Sequence, residues 1–280
     1  MTTLTAHAGL LEPLPATPAP FVRYLRDTAL LVGRSLRTIR RVPERLADVT
    51  IQPIVFTLLF LTVFGSAISI GGGVRYQDYL LPGLVGQGLA FGIIGAGAAT
   101  ATDFSTGVID RFRSMPVHRL AIITAQVIGQ TLEQVLGMLL TIGLGLALGW
   151  RPDLTVATFF ELTGLILLGL FAFTWFGVLL GMLVRSSDAM QGVGFSIVFP
   201  LSFLAGTFVP IDGMSAIPRF IGQWDPISAF VAAIRQLCQG IHSHGSWQLE
   251  HPVAGMTAWS VLLVVVCVPL ALRRFRTAGA

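Results

Sequence analysis

Lysine is absent from this chain, and charged residues of every kind are scarce. All 18 basic residues are arginine, and charged residues make up only 11% of the 280 positions, whereas hydrophobic residues make up 54%. A soluble domain is about 25% charged, because its surface must face water. Together with a mean hydropathy of +0.77, this composition predicts a protein whose surface lies mostly in lipid.

The missing lysine also excludes one kind of nucleotide site. The P-loop G-x-x-x-x-G-K-[ST] holds nucleotide phosphates with a lysine that follows its glycine-rich turn. This chain has no lysine to place there. Glycine-rich runs such as the one at 71–73 are therefore not Walker motifs, and any ATP that drives this protein must bind to another chain.

Cysteine is rare too, and the sequence offers no set of residues typical of a metal or catalytic site. Cys238 and Cys267 are far apart and form no C-x-x-C pair, which argues against a metal site or a disulfide framework. His242, His244 and His251 fall near a Gly/Ser-rich loop, where solvated histidines are the more common finding. Neither G-x-S-x-G nor H-E-x-x-H occurs. We predict no catalytic residue, no metal and no cofactor in this chain.

The N-terminal part reads as a tail followed by an amphipathic helix. Residues 1–20 contain four prolines and no arginine; they lack the basic start and apolar core of a signal peptide, and a disordered cytoplasmic tail is predicted. In 21–48, apolar residues recur every three to four positions opposite a set of arginines, which is typical of a helix in the headgroup layer. The apolar face comprises Val22, Leu25, Ala29, Val32, Leu36 and Ile39. A juxtamembrane elbow with no role beyond anchoring fits the same pattern.

The remaining residues, 49–280, predict an all-α polytopic membrane domain. Six apolar stretches are long enough to cross about 30 Å of hydrocarbon. They lie near 50–70, 80–102, 119–149, 155–184, 191–210 and 253–272. The third and fourth exceed about twenty residues and are expected to tilt or to extend beyond the bilayer.

Arginine placement predicts the orientation. Fourteen arginines lie on one side of the membrane: before the first span, between the second and third, after the fourth or after the sixth. The other four lie on the opposite side. By the positive-inside rule, both termini are cytoplasmic. The pI near 9.8 is explained by these flanking arginines, so no nucleic-acid partner is predicted.

Two connecting segments are too apolar for free loops. The cytoplasmic segment near 103–118 mixes charge with Ile109, Phe112 and Met115, and the outer segment near 211–250 is rich in apolar residues around Pro218 and Pro226. We expect the second to form one or two short re-entrant helices, broken at the two prolines.

These segments carry a family resemblance that extends over everything after the tail. Three motifs carry it: Asp110-Arg111-Phe112-Arg113-Ser114-Met115-Pro116-Val117-His118-Arg119, Gly206-Thr207-Phe208-Val209-Pro210 and Trp224-Asp225-Pro226-Ile227-Ser228-Ala229-Phe230, the last with Arg235 and Gly240 downstream. Together they resemble the permease subunits of ABC-2 type exporters. The daunorubicin-resistance permeases of actinobacteria are the most similar group. That family usually has Asn where this chain has Asp225.

The resemblance implies an ABC-2, type V exporter-like fold in a bacterial inner membrane, a separate ABC ATPase that binds ATP and Mg²⁺, and a homodimer or a heterodimer with a similar permease. The cargo implied is an apolar or amphipathic drug, antibiotic or lipid, with a polysaccharide or an ion as alternatives. It also implies that 103–118 is a coupling helix that docks on the ATPase. The coupling residues are Asp110, Arg111, Phe112, Arg113, Met115, Pro116 and His118.

The residues themselves agree with such docking, because a short helix of interleaved apolar and charged side chains suits an apolar groove with a charged rim. A loop that only enforces topology is the alternative for this segment. For the whole chain, the alternative is a non-transporting membrane scaffold or a lipid-modifying enzyme.

Two sets of residues inside the spans are candidates for a substrate path. Gln126, Gln130, Glu133 and Gln134 share one face of the third span, and a carboxylate in hydrocarbon must face the bundle, a partner or water. Interhelical hydrogen bonding explains such a stripe equally well. Phe195, Phe199 and Phe203 form an aromatic row beside Pro200 in the fifth span, which suits either a flat apolar substrate or ordinary packing. Pro200 is expected to kink this helix.

Overall fold

The computed structural model describes residues 20–41, 43–65, 74–107 and 119–277, and its regular elements there are helices. The long helices are α1 (Pro20–Arg41), α2 (Pro43–Phe64), α3 (Tyr76–Ser105), α4 (Arg119–Ala147), α5 (Val156–Gly181) and α11 (Pro252–Thr277). Between α5 and α11 lie α6 (Ser187–Val193), a π-helical turn (Gly194–Val198), α7 (Phe199–Leu204), α8 (Ala216–Trp224), α9 (Pro226–Gln239) and α10 (Trp247–Glu250).

Four of these helices are long and apolar enough to cross a membrane: α3, α4, α5 and α11. They match the second, third, fourth and sixth predicted spans to within five residues at each end. Within α2, the apolar part is the shorter stretch Ile51–Val63. The tail at 1–19 lies outside the described residues.

The fifth predicted span is divided into three pieces of helix. α6, the π-helical turn and α7 follow one another directly from Ser187 to Leu204. Pro200 is the second residue of α7, and its ring nitrogen has no hydrogen to donate to the π-helical turn before it. The π-helical turn directly precedes α7, and such turns are one of the recognised causes of helix bending.

α3 lies at the centre of the bundle and packs closely on α5. A Cβ atom at Gly177 of α5 would lie 2.5 Å from the carbonyl oxygen of Ile93, and one at Gly181 would overlap the carbonyl of Gly97. Small residues at such positions let two helix backbones approach closely. A buried cluster that includes Leu89 and Phe230 extends from this contact to α9 and α11.

The amphipathic helix α1 ends at Arg41, seven residues before the predicted boundary, because α2 begins at Pro43. α1 packs on the N-terminal half of α4, where Tyr24 Oη donates to Thr124 Oγ1 at 3.2 Å. Val22 and Leu25 remain exposed. This part of the apolar face is therefore not covered by the described residues of the chain.

The predicted outer segment folds as short helices, but only one of the two prolines breaks it. Pro226 is the first residue of α9, whereas Pro218 lies in the first turn of α8 and does not interrupt it. A proline is tolerated there because the first N–H groups of a helix have no intrahelical acceptor. Gly240, in the left-handed conformation at φ +62°, ends α9.

Candidate functional site: a polar pocket between apolar helices

A cavity of about 230 Å³ lies between the middle parts of α2, α3 and α4. We call it the glutamine pocket, because Gln52, Gln87, Gln130, Glu133 and Gln134 supply most of its polar wall. Gln87 is 11 residues from the start of α3, or about 16 Å along the helix axis. The pocket is therefore far from both ends of the bundle.

The rest of the pocket wall is mainly apolar and aromatic. Phe56 of α2 and Phe91 of α3 line it, with ring centroids 6.1 Å apart. Leu84, Leu89 and Met138 complete this wall. A cavity with apolar walls and a few convergent polar groups is the usual form of a site for small organic ligands.

The structure separates the predicted polar stripe into two groups. Gln130, Glu133 and Gln134 line the glutamine pocket, whereas Gln126 bonds to α3, with its Nε2 3.1 Å from Thr100 Oγ1 and 3.0 Å from Asp103 Oδ2. For Gln126 the geometry therefore matches interhelical hydrogen bonding. Gln134 combines both features, since its Nε2 also donates to Thr174 Oγ1 of α5 at 2.9 Å.

Gln87 also lines the pocket, although the sequence analysis did not select it. Its side chain is only 3% exposed, and its Nε2 has no hydrogen-bond partner among the described residues. The signal was present in the sequence, because Gln87 is the sole amide side chain in the predicted span 80–102. A polar side chain in the hydrocarbon of a membrane raises the free energy of insertion, and it is usually functional or paired.

The predicted aromatic row belongs to a larger closed circuit of six phenylalanine rings. Starting at Phe56, successive contacts reach Phe60, Phe208, Phe203, Phe199, Phe91 and again Phe56, with centroid distances of 4.0 to 6.1 Å. Phe195 contacts this circuit at Phe91 and Phe199 and is 53% exposed. The circuit joins α2, α3 and α7, and two of its rings line the glutamine pocket.

Two of the outer motif residues, Asp225 and Arg235, have structural roles at α9. Asp225 caps α9 by accepting a hydrogen bond from the Ile227 N–H at 2.9 Å. Arg235 is buried and donates to the backbone carbonyls of Tyr79, Gly206 and Thr207 at 2.8 to 3.2 Å. Trp224, at the end of α8, is half exposed. Arg235 thereby fixes the Gly206-Thr207 turn against α3.

The Asp225 carboxyl is buried, which is unusual for an ionisable group that caps a helix. Its Oδ2 is buried without a partner among the described residues. Burial raises its pKa from 3.8 to about 7, and the hydrogen bond from Ile227 opposes this only partly. An asparagine would provide the same cap without an ionisable group.

A second cavity, of about 480 Å³, is lined in part by the loop that follows α9. Its polar wall includes Arg235, Ser228, Asp212, His242 and His244. No group of three metal-binding side chains occurs among the described residues.

All seven residues of the predicted coupling set, from Asp110 to His118, lie outside the described residues.

Comparison with known proteins gives a family match and several relatives. The family model for "ABC-2 type transporter" matches residues 26–238. The "Daunorubicin resistance ABC transporter permease protein DrrB1" of Streptomyces coeruleorubidus is 29% identical over 88% of this chain and 85% of its own length. The "Doxorubicin resistance ABC transporter permease protein DrrB" of Mycobacterium tuberculosis is 27% identical over 76% of each chain. A "Putative transport permease YvfS" of Bacillus subtilis is 24% identical over 77% of this chain and 81% of its own length.

Proposed function

Because the chain belongs to the ABC-2 type transporter family, we propose that it is the membrane-spanning permease subunit of an exporter for an apolar or amphipathic molecule. Two of its relatives are named as permeases for daunorubicin or doxorubicin resistance. The observation that carries the proposal for this chain is the glutamine pocket, a polar site with aromatic walls at the centre of long apolar helices.

The proposed topology has six spans with both termini in the cytoplasm of a bacterial cell. The long apolar helices α3, α4, α5 and α11 supply four spans. α2 and the run from α6 to α7 supply the first and the fifth. The excess of arginine at one set of helix ends supports this orientation, and the exposed apolar residues of α1 suit a position in the headgroup layer.

Energy is proposed to come from a separate ABC ATPase with bound ATP and Mg²⁺. This chain has no lysine for a P-loop, and its relatives are named as permeases rather than as ATPases. The segment 103–118, which begins in the last turn of α3 and ends before α4, is the proposed docking segment. Two copies of this chain, or one copy and a similar permease, would enclose the path, and closure of the ATPases would move the attached helix ends together.

The first experiment is purification of the chain from its native host in mild detergent, with mass spectrometry of the proteins that accompany it. A stoichiometric ABC ATPase is the expected result. The variant R111E/F112A is expected to lose this ATPase and to abolish export of a fluorescent amphipathic drug from whole cells, because it reverses one charge and removes one apolar anchor.

The matched control is R185E/L183A, which makes the same kinds of change in the connection between α5 and α6. Its two side chains are at or near the surface, and it is expected to retain the ATPase and export. Wild-type ATPase binding and export in R111E/F112A would disprove the docking assignment. Absence of any ATPase, with the permease still folded, would disprove the exporter itself.

A further inference from the structure

Two residues that line the glutamine pocket each carry a buried polar side-chain atom without a partner among the described residues. These atoms are Nε2 of Gln87, a donor, and Oε1 of Gln134, an acceptor, and both are shielded from solvent. A buried polar group without a partner destabilises the folded protein. Two such groups beside one cavity point to a bound molecule that completes their hydrogen bonds.

The orientation of the Gln134 amide follows from its neighbour Thr174. The Thr174 hydroxyl donates its hydrogen to the carbonyl oxygen of Leu170 at 2.6 Å. Toward Gln134 it therefore acts as an acceptor, which requires the amide nitrogen to face it at 2.9 Å. The oxygen of the Gln134 amide is consequently left on the other side, as the unpaired acceptor.

We propose that the glutamine pocket binds an apolar molecule through a neutral group that both accepts and donates a hydrogen bond, such as a hydroxyl or an amide. The ligand group would accept from Gln87 Nε2 and donate to Gln134 Oε1. This inference deepens the proposed function, since it names the chemistry by which the exporter recognises its cargo. The terminal torsion of glutamine is soft, so the Gln87 amide can turn toward a ligand at little cost, while Gln134 keeps its hydrogen bond to Thr174.

The neighbouring carboxylate does not make this a site for a cation. Glu133 lines the same pocket and has an interaction of its own within the chain. The two unpaired atoms are one donor and one acceptor, and an ammonium group, which only donates, would leave Gln87 Nε2 unpaired. A neutral group that both donates and accepts would form a hydrogen bond with each of the two atoms.

The size of the pocket limits what enters it. An apolar cavity of about 150 Å³ admits one benzene ring, and the glutamine pocket measures about 230 Å³. Phe56 and Phe91 provide flat surfaces on its apolar side, which suit an aromatic body. We expect it to hold a fused two-ring system with its polar substituent, and a larger cargo only in part.

The test uses three probes with the same ring system and the purified full-length permease in nanodiscs. Probe fluorescence measures the binding of 1-naphthalenemethanol, which is neutral and hydroxylated, 1-methylnaphthalene, which is apolar, and 1-naphthylmethylammonium, which is cationic. Empty nanodiscs correct for partition into lipid. We expect the alcohol to bind about tenfold more tightly than the hydrocarbon, a difference that corresponds to about one net hydrogen bond.

Two variants assign that preference to the pocket. Gln87→Leu removes the unpaired donor with little change in volume, so it should fold and bind the alcohol no better than the hydrocarbon. Gly92→Ala places a methyl group onto the Gln134 amide and should also reduce binding of the alcohol. The control Gly143→Ala, on α4 with open space around its Cβ position, should leave all three affinities unchanged.

Each outcome has a separate meaning. Equal affinity of the wild type for alcohol and hydrocarbon, or tighter binding of the ammonium probe, would overturn the inference. So would an unchanged preference in both Gln87→Leu and Gly92→Ala. Because these measurements need no ATPase, they can fail while the exporter stands, and loss of the ATPase in the purification would leave their result intact.

Discussion

The guanidinium of Arg235 lies 3.5 Å from the centroid of the Tyr79 ring, and the same group donates to the Tyr79 carbonyl although 156 residues separate the two positions. The phenol of Tyr79 in turn donates to the carbonyl of Gly206 at 2.8 Å, a carbonyl that Arg235 also bonds. A charged group is therefore buried with backbone carbonyls and an aromatic face as its partners. This arrangement joins α3, α9 and the turn after α7.

Replacement of Arg235 should destabilise the fold more than replacement of any exposed arginine. Arg235→Met leaves the carbonyls of Tyr79, Gly206 and Thr207 without this donor, and we expect a loss of about 3 kcal/mol or more. Arg235→Lys should recover little, because an ammonium lacks the planar fork that reaches several acceptors. Thermal unfolding of the purified protein in detergent measures the difference.

The control for that experiment is Arg219→Met. Arg219 is exposed and donates to the carbonyls of Asp212 and Met214. An exposed group can replace these partners with water, so the expected change is within about 0.5 kcal/mol. Similar losses of stability in Arg235→Met and Arg219→Met would show that the buried hydrogen bonds of Arg235 stabilise the fold no more than the exposed ones of Arg219.

Substitutions at Tyr79 should separate the hydroxyl from the ring. Tyr79→Phe keeps the ring beside Arg235 and removes one hydrogen bond, with an expected loss of about 1 kcal/mol. Tyr79→Leu also removes the cation–π contact, which is worth about 2 kcal/mol when desolvated. The same unfolding measurement compares them, and equal losses in the two variants would mean that the ring contact is not stabilising.

The close contact between α3 and α5 should tolerate no added methyl group. In Gly177→Ala the new Cβ would lie 2.5 Å from the Ile93 carbonyl oxygen, so the helices must separate, at an expected loss of about 1–3 kcal/mol. Gly164→Ala, on the same helix with nothing within 4 Å, should be neutral or gain up to about 1 kcal/mol. Retained stability in Gly177→Ala would mean that this contact is looser than described.

Asp225 should make stability depend on pH. Its pKa is raised by burial from 3.8 to about 7, so the folded protein holds this proton more tightly than the unfolded chain. The resulting stability is fully present below about pH 4 and is lost as the pH rises to about 7. The wild type should therefore unfold at a lower temperature at pH 8 than at pH 5.

Asp225→Asn should remove this part of the pH dependence, because asparagine caps a helix equally well and does not ionise. The control Asp212→Asn changes an exposed carboxyl and should keep the wild-type pH dependence. Unfolding temperatures at the two pH values decide the matter. If Asp225→Asn retains the full difference between pH 5 and pH 8, another group is responsible.

Much of the architecture was predictable from local pattern. Apolar length located α3, α4, α5 and α11, because the requirement to satisfy every backbone group in lipid leaves a helix as the only form for an isolated apolar segment. The period of the apolar residues predicted a helix in the region of α1, and its position in the headgroup layer stays a prediction. The helical outer segment followed from its apolar content, although Pro218 proved to be a helix-starting proline rather than a break.

The site was predictable only in part, because a helical pattern identifies a face and not what lies opposite. The stripe from Gln126 to Gln134 was visible in the sequence, yet its division between α3 contacts and the glutamine pocket depends on how α4 is rotated against its neighbours. Gln87 lies on another helix, and nothing in its neighbourhood of the chain links it to Gln134.

The sequence by itself determined that this protein is a helical membrane protein of the ABC-2 type transporter family, because length, apolar content and motif order are properties of the chain alone. The tertiary structure alone decided which distant residues meet. The tertiary contacts join Arg235 of α9 with Tyr79 of α3, Gln134 of α4 with Thr174 of α5, and Phe60 of α2 with Phe208 in the turn after α7. Their contacts depend on helix rotation and depth, which are set by close packing across the whole bundle rather than by any local pattern.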